Sequence, residues 1–342
     1  MFLHDLLECH ITFGWRGMRQ KTRNTPQPAV IHGNEMSQPI NQHWVPQFYL
    51  RHFATPETQA SKNPKVWVFS KDKRDGDPLL TNIRNICAKR YLYSPISADG
   101  QHEWELESKL HDLESMLAPM WPSLADGYVD LMEHESIRKA IALFVSVMYL
   151  RHPDGLEEVT QIHRQLVQIY EEAPKKVNDT PYIDWIQING ETHEVDTSGW
   201  NEYRDWGRND HHRFFTDMVH SHSIFLAELF LKKRWSVIFS DISAFVTSDK
   251  PVAKQHQKKE KFGFGTAGTI ISFPLSPTRL LVMDDMHHEP AGQYYPLHNN
   301  DPGPFNLLIW KNGSRFMISQ RSIDEVLLEI VRWADQYEKG SV

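Results

Sequence analysis

The apolar residues of this chain recur at two spacings, and the spacing changes along its length. From His43 to Phe53 the sequence reads HWVPQFYLRHF. Pro46 is placed to open a short helix, Phe48, Tyr49, Leu50 and Phe53 follow at helical spacing, and Thr55-Pro56 reads as its end. Lys65–Lys71 then alternates in strand fashion, Asp72–Pro78 carries turn chemistry, and Leu79–Ile86 reads as a partner strand or extended segment. Next comes a helical middle. Trp104, Glu107, Leu110, Leu113, Leu117 and Met120 step by three and four. A largely apolar helix is predicted over Ser136–Arg151 and stops at Pro153; an amphipathic one is predicted over Leu156–Glu172. A further helix is expected over Asp210–Lys233. After it the period returns to strands at Trp235–Phe239, Ala244–Thr247, Thr269–Pro274 and Arg279–Asp284. Phe305–Ser319 is mixed and broken at Asn312-Gly313, and Ile323–Tyr337 reads as a closing helix.

This order predicts an α+β fold, with the helical middle packed on a mixed or antiparallel sheet built from N- and C-terminal strands. Residues 36–342 are expected to form a single large domain. The polar stretch 175–206 reads as an insertion, with a hairpin at Asp184–Val195 around Asn189-Gly190. Residues 1–35 lack periodicity and are expected to be a disordered extension or an over-long start ahead of Met36.

Composition narrows the classes. With 37 Lys+Arg against 44 Asp+Glu the net charge is −7, which argues against a basic nucleic-acid coat. The two cysteines, Cys9 and Cys87, are too few and too far apart for a disulfide framework or a cysteine-rich zinc site. The longest apolar run, Ile141–Leu150, falls short of the roughly 20 residues a membrane span needs. A cytoplasmic protein without membrane attachment is the expectation.

Several segments together resemble the family catalogued as domain of unknown function 4238. They are HWVPQFYLRHF (His43–Phe53), VWVFSK (Val66–Lys71), Asn85 with Tyr91–Tyr93, YLRHP (Tyr149–Pro153), FVTSDKPV (Phe245–Val252), FPLSP (Phe273–Pro277) and Asn306. The likeness covers roughly residues 42–320 and leaves out the N-terminal stretch. It implies a cytosolic, mainly microbial protein and no particular reaction.

Candidate chemistry gathers in these motifs. His43 precedes a Pro-opened helix, where it could serve as a general base or cap the helix. Thr247-Ser248-Asp249 leaves an apolar strand, a placement that suits ligand contact and equally suits an Asx or Ser/Thr turn. Lys71, Arg51, Arg84 and Asn85 offer cations and an amide for a phosphate or carboxylate. Glu107 and Glu114 fall near an apolar stripe, where a carboxylate ligand or a solvated acidic face are both open. Histidine is enriched at 19 residues, yet neither the group His211, His212, His220 and His222 nor His287-His288 has the HExxH spacing, so no metal site is assigned. Lys254–Lys261 reads as a basic loop, either a disordered surface segment or a mobile lid over an anion. The glycines of Gly263–Gly268 match a dinucleotide fingerprint in letters but have no strand before them and no helix after.

The leading expectation is a hydrolase acting on a phosphate-bearing substrate, nucleic acid included. In it His43, Lys71 and Asp249 are catalytic, and Arg51, Asn85, Thr247 and Ser248 hold the substrate. The alternative is a non-catalytic interaction or regulatory module, antitoxin-like or defence-associated, in which the motif residues are scaffold. The two part on burial: an open pocket lined by these groups favours the enzyme, and sealed, satisfied pairs favour the module. No cofactor follows from the sequence.

Overall fold

The computed structural model describes residues 39–71, 78–130, 132, 134–177, 181–182, 185–188, 191–194, 197–258 and 261–338. The expected extension at 1–35 and most of the turn at Asp72–Pro78 lie outside them. The described chain is α+β, and its elements follow the predicted order.

β1 (Asn41–His43) leads into α1 (Gln47–His52) and α2 (Pro56–Gln59), followed by β2 (Lys65–Ser70), β3 (Leu79–Asn82) and β4 (Ala88–Arg90). The helical middle is α3 (Glu105–Leu117), α4 (Trp121–Asp126), α5 (Glu135–Leu150) and α6 (Asp154–Glu172). A hairpin, β5 (Trp185–Ile188) with β6 (Glu191–Glu194), precedes α7 (Trp200–Arg204) and the long α8 (Arg208–Lys232). Then come β7 (Arg234–Phe239), β8 (Thr247–Ser248), β9 (Ala253–Gln255), β10 (Ile270–Ser276), β11 (Arg279–Asp284) and β12 (Gln293–Pro296). α9 (Gly303–Asn312), β13 (Phe316–Ser319) and α10 (Ile323–Glu338) close the chain.

Two compact units are distinguished: one holds Asp154–Phe215, the other Asn41–Pro153 with Thr216–Val342. The larger unit contains both main sheets. One has the order β12-β7-β11-β10-β9, antiparallel except for β12 alongside β7. The other, β3-β2-β13-β8, is antiparallel throughout and joins N-terminal to C-terminal segments, as the pattern predicts. The larger unit has an aromatic core drawn from α1, α4, α5 and β10. Tyr49 stacks on Phe273 at 5.4 Å, and Trp121 meets Phe144 at 5.1 Å, all four without exposed surface. Removing one such ring costs about 3–5 kcal/mol. Across β7 and β11, Arg234 makes two bonds to Asp284, at 2.8 and 2.6 Å, inside the sheet.

In the smaller unit, α6 buries Val159, Ile162 and His163, and Tyr170 stacks on Trp200 of α7 at 5.0 Å. Of the hairpin predicted at Asp184–Val195, β5 and β6 pair antiparallel with Trp185 opposite Glu194; the expected Asn189-Gly190 turn lies outside the described residues.

Some expectations need correction. Thr55-Pro56 does not simply end a helix; Thr55 is the N-cap of α2 and Pro56 its first residue, a position that needs no N–H. The strand expected over Leu79–Ile86 ends at Asn82, whose side chain accepts from the Arg84 N–H and starts a 3₁₀ turn at Ile83–Asn85. The strand expected over Ala244–Thr247 overlaps the two-residue β8 (Thr247–Ser248) at Thr247 alone. Lys254 belongs to no surface loop. It lies buried in β9, its ammonium 4.7 Å from the Phe264 ring.

Candidate functional site

Asp249 follows β8 and lies at the heart of the larger unit, 1 % exposed. Its Oδ1 accepts from the Ser314 N–H at 2.9 Å and its Oδ2 from the Arg315 N–H at 2.8 Å. The carboxylate therefore satisfies the turn between α9 and β13. That turn approaches closely because Gly313 has no side chain: a Cβ there would stand 3.1 Å from Ser248 Cβ and 3.4 Å from Asp249 Oδ1. Ser248 is fully buried, and its Oγ accepts from the Lys250 N–H at 3.2 Å. Thr247 is equally buried, 2.7 Å from the Tyr49 hydroxyl. Tyr49 donates its one proton to the Pro274 carbonyl at 2.8 Å, so the Thr247 hydroxyl donates to Tyr49. Burial pushes the Tyr49 phenol up out of any physiological range.

The imidazole facing Asp249 is that of His152, with Nε2 3.6 Å from Oδ2. His43 is placed differently. It ends β1, half-buried, with Nε2 3.3 Å from the Arg84 carbonyl and Nδ1 near Gln47. Burial lowers its pKa; the Arg84 bond opposes this and the Arg151 charge adds to it, and Asp249 is not among these influences. Arg151, fully buried, donates to the His43 carbonyl at 2.8 Å, the Trp44 carbonyl at 2.7 Å and Glu114 at 2.8 Å. It ties β1 to α3. The signal for His152 in the sequence is the YLRHP motif, where a histidine follows the buried end of α5.

Lys71 is half-buried. Its ammonium donates to the Gly313 carbonyl and lies 4.6 Å above the Trp310 ring. Burial lowers its pKa, the negative charge of Asp249 opposes this, and Lys250 adds to it. Lys71, Asp249, Ser248 and Thr247 therefore belong to one neighbourhood. Cys87 belongs to it as well, buried with φ +54°, its thiol pushed well up by burial with Asp249 adding to the effect. A thiol in that state is inert.

Arg51 and Asn85 are elsewhere. Asn85 is exposed on the 3₁₀ turn. Arg51 is exposed on α1, and its Nη1 donates to the Gln59 and Ser61 carbonyls at 2.8 and 3.0 Å. It lines a pocket of about 410 Å³ with His52, Phe48, Pro56, Gln59, Ala60, Ala118 and Pro122. Burial lowers the His52 pKa, Asp126 opposes this and Arg51 adds to it, so His52 stays neutral at pH 7. One fixed guanidinium stands over a lining that is mainly apolar, with His52 and Gln59 as its other polar side chains.

A model of one family matches residues 41–322, from β1 to the residue before α10. The chain belongs to the DUF4238 family, described as proteins of unknown function. The match begins at β1 and takes in Asp249, Lys71 and the Arg51 pocket alike, so membership does not choose between the two places. No curated protein and no solved structure matches this DUF4238 chain. Among the described residues no group of three or more His, Cys, Asp or Glu is placed to hold a metal, and no helix is long and apolar enough to cross a membrane.

Proposed function

We propose that this DUF4238 protein is a non-catalytic, cytoplasmic binding module that takes a small phosphate-bearing ligand with an apolar body in the Arg51–His52 pocket. The observation that carries the reading is a contrast in access. Asp249 has no exposed side-chain surface and both of its oxygens are engaged, whereas Arg51 is exposed beside a pocket. A carboxylate that holds a turn inside the core cannot meet a substrate, and a satisfied buried charge is costly to disturb. A guanidinium is suited to phosphate by its forked donors. Arg51 keeps Nε and Nη2 outside its two loop bonds. Phe48, Pro56, Ala118 and Pro122 suit the apolar part of such a ligand. The net charge of −7 weighs against long nucleic acid as the partner.

The test uses phenyl phosphate, with inorganic phosphate for comparison, titrated onto the full chain while the His52 ring is followed by NMR. The expected result is a saturable shift of His52 that weakens about tenfold or more in Arg51→Ala. Equal binding by the wild type and the variant would overturn the reading.

One observation favours the hydrolase alternative: the Lys71 ammonium shares its neighbourhood with Asp249, which in turn faces His152. On that reading Lys71 holds the phosphate and His152 takes the role assigned to His43. Phosphoester hydrolysis by the wild type, lost in Lys71→Met at unchanged stability, would favour it over the binding module.

A further inference from the structure

The smaller unit holds two imidazoles that play no part in the pocket above. His163 comes from α6 and His211 from the first turn of α8. Their rings are 4.6 Å apart in an edge-on arrangement, and the residues are only 5 % and 7 % exposed. Trp206 stacks on His163 at 5.8 Å, and Tyr203 meets it edge-on at 4.8 Å. The surroundings are aromatic and largely closed to water.

The hydrogen bonding of the pair is incomplete. His163 Nε2 lies 2.7 Å from the Tyr203 carbonyl oxygen. A carbonyl only accepts, so Nε2 carries the proton and Nδ1 presents its lone pair. That Nδ1 is buried and makes no hydrogen bond, and the same holds for Nε2 of His211. Orphaned buried nitrogens are uncommon in folded proteins, because each forfeits its hydration without replacement, and an absent ion is one of the standing explanations. Metal-bound histidines characteristically donate their second ring nitrogen to a carbonyl or carboxylate, which fixes the tautomer and aims the free nitrogen. His163 has that arrangement.

We propose that His163 Nδ1 and His211 Nε2 together bind one divalent transition-metal ion of the imidazole-preferring kind, Zn²⁺ in the first instance. Imidazole ligands suit zinc, copper and nickel, and they bind in the neutral form. Burial and the neighbouring His163 hold the His211 pKa below the ordinary imidazole value; Asp210 opposes this and Arg164 adds to it. Among the described residues no third His, Cys, Asp or Glu completes the set. With two protein ligands the affinity is expected to be modest. The proposal concerns α6 and α8 alone and stands or falls apart from the Arg51 pocket.

The test is a Zn²⁺ titration of the chelator-stripped full chain against a chromophoric competitor. It compares the wild type with His163→Gln, His211→Gln and the exposed-loop control His288→Gln. One equivalent is expected in the wild type and in the control, with affinity reduced about tenfold or more in either pair variant. Identical binding in all four proteins would overturn the proposal. Because a pair variant can disturb folding, the wild type is also followed by ¹⁵N NMR of its imidazoles. One equivalent of Zn²⁺ that shifts His163 Nδ1 and His211 Nε2 supports the site. Shifts confined to exposed histidines refute it.

Discussion

Two regions carry the polar residues of the family motifs, and they treat them in opposite ways. At the end of β8, Thr247, Ser248 and Asp249 are closed into the core, each hydroxyl or carboxylate oxygen engaged by a neighbour. On α1, Arg51 and His52 keep surface beside a pocket. The same residue types do structural work in one place and are available to a ligand in the other. A motif therefore marks where side chains matter, and only burial and hydrogen bonding tell why.

The largest effect is expected on the sealed side. Asp249→Ala orphans the N–H groups of Ser314 and Arg315 and removes the charge facing His152. Losing the buried carboxylate from these two part-buried donors and from His152 costs about 3–5 kcal/mol. Urea unfolding measures it, and the loss belongs to stability. A fully folded, equally stable Asp249→Ala protein would break the comparison, because it would mean that the carboxylate is not a structural strut.

Much of the fold was legible because period-2 and period-3.6 patterns survive burial on one face. β2, α5, β11 and α10 all follow from spacing alone. The short strands β1, β4, β9 and β12 left no such trace; three or four residues are too few to set a period, and their pairing partners are distant in sequence. The site was less legible. Position at a strand end is shared by ligand-binding residues and turn-forming ones, so Asp249 could not be sorted until its two backbone donors were visible. His43 attracted attention by heading a motif, yet its imidazole meets the Arg84 carbonyl. His152 reaches Asp249 because α5 ends there, a juxtaposition of residues about a hundred apart in sequence that no local pattern encodes. His163 was invisible for the same reason, its partner His211 lying on another helix.

A second, smaller handle on the sealed side is Gly313. Its backbone is ordinary, with φ −57°, so conformational strain is not at issue. The constraint is space: an added methyl would press on Ser248, which its hydrogen bond to the Lys250 N–H holds in place. Gly313→Ala is expected to cost about 1–3 kcal/mol, as overpacking does elsewhere. If thermal unfolding shows no loss, the turn is looser than the carboxylate clamp implies.

Glu107 sharpens the electrostatics of the same side. Burial raises its pKa to about 7; Arg151 opposes the shift and Glu114 adds to it. The folded form then binds a proton that the unfolded chain releases above its ordinary carboxylate pKa of about 4.3. The stabilising contribution is complete below that value and is lost as pH rises through about 7. Glu107→Gln stays neutral throughout. It should match the wild type at acid pH and exceed it at pH 8 by about 1 kcal/mol, after allowance for partial solvent screening. His43 and His52, whose pKa values burial lowers, weaken both proteins alike on acidification and cancel in the difference. Parallel stability curves for the two proteins from pH 4 to 8 would refute the assignment.

The smallest change in stability is expected on the open side, and its smallness is informative. Arg51→Ala removes two bonds to the Gln59 and Ser61 carbonyls, both of which can turn to water. Surface substitutions of this kind cost under about 1 kcal/mol. A larger loss would make Arg51 a strut of the α1–α2 turn, and the two regions would no longer differ in kind. A small loss, together with binding of phenyl phosphate weakened about tenfold or more, separates folding from recognition at one residue. Asp249 cannot give that separation, because any change there is read first as unfolding.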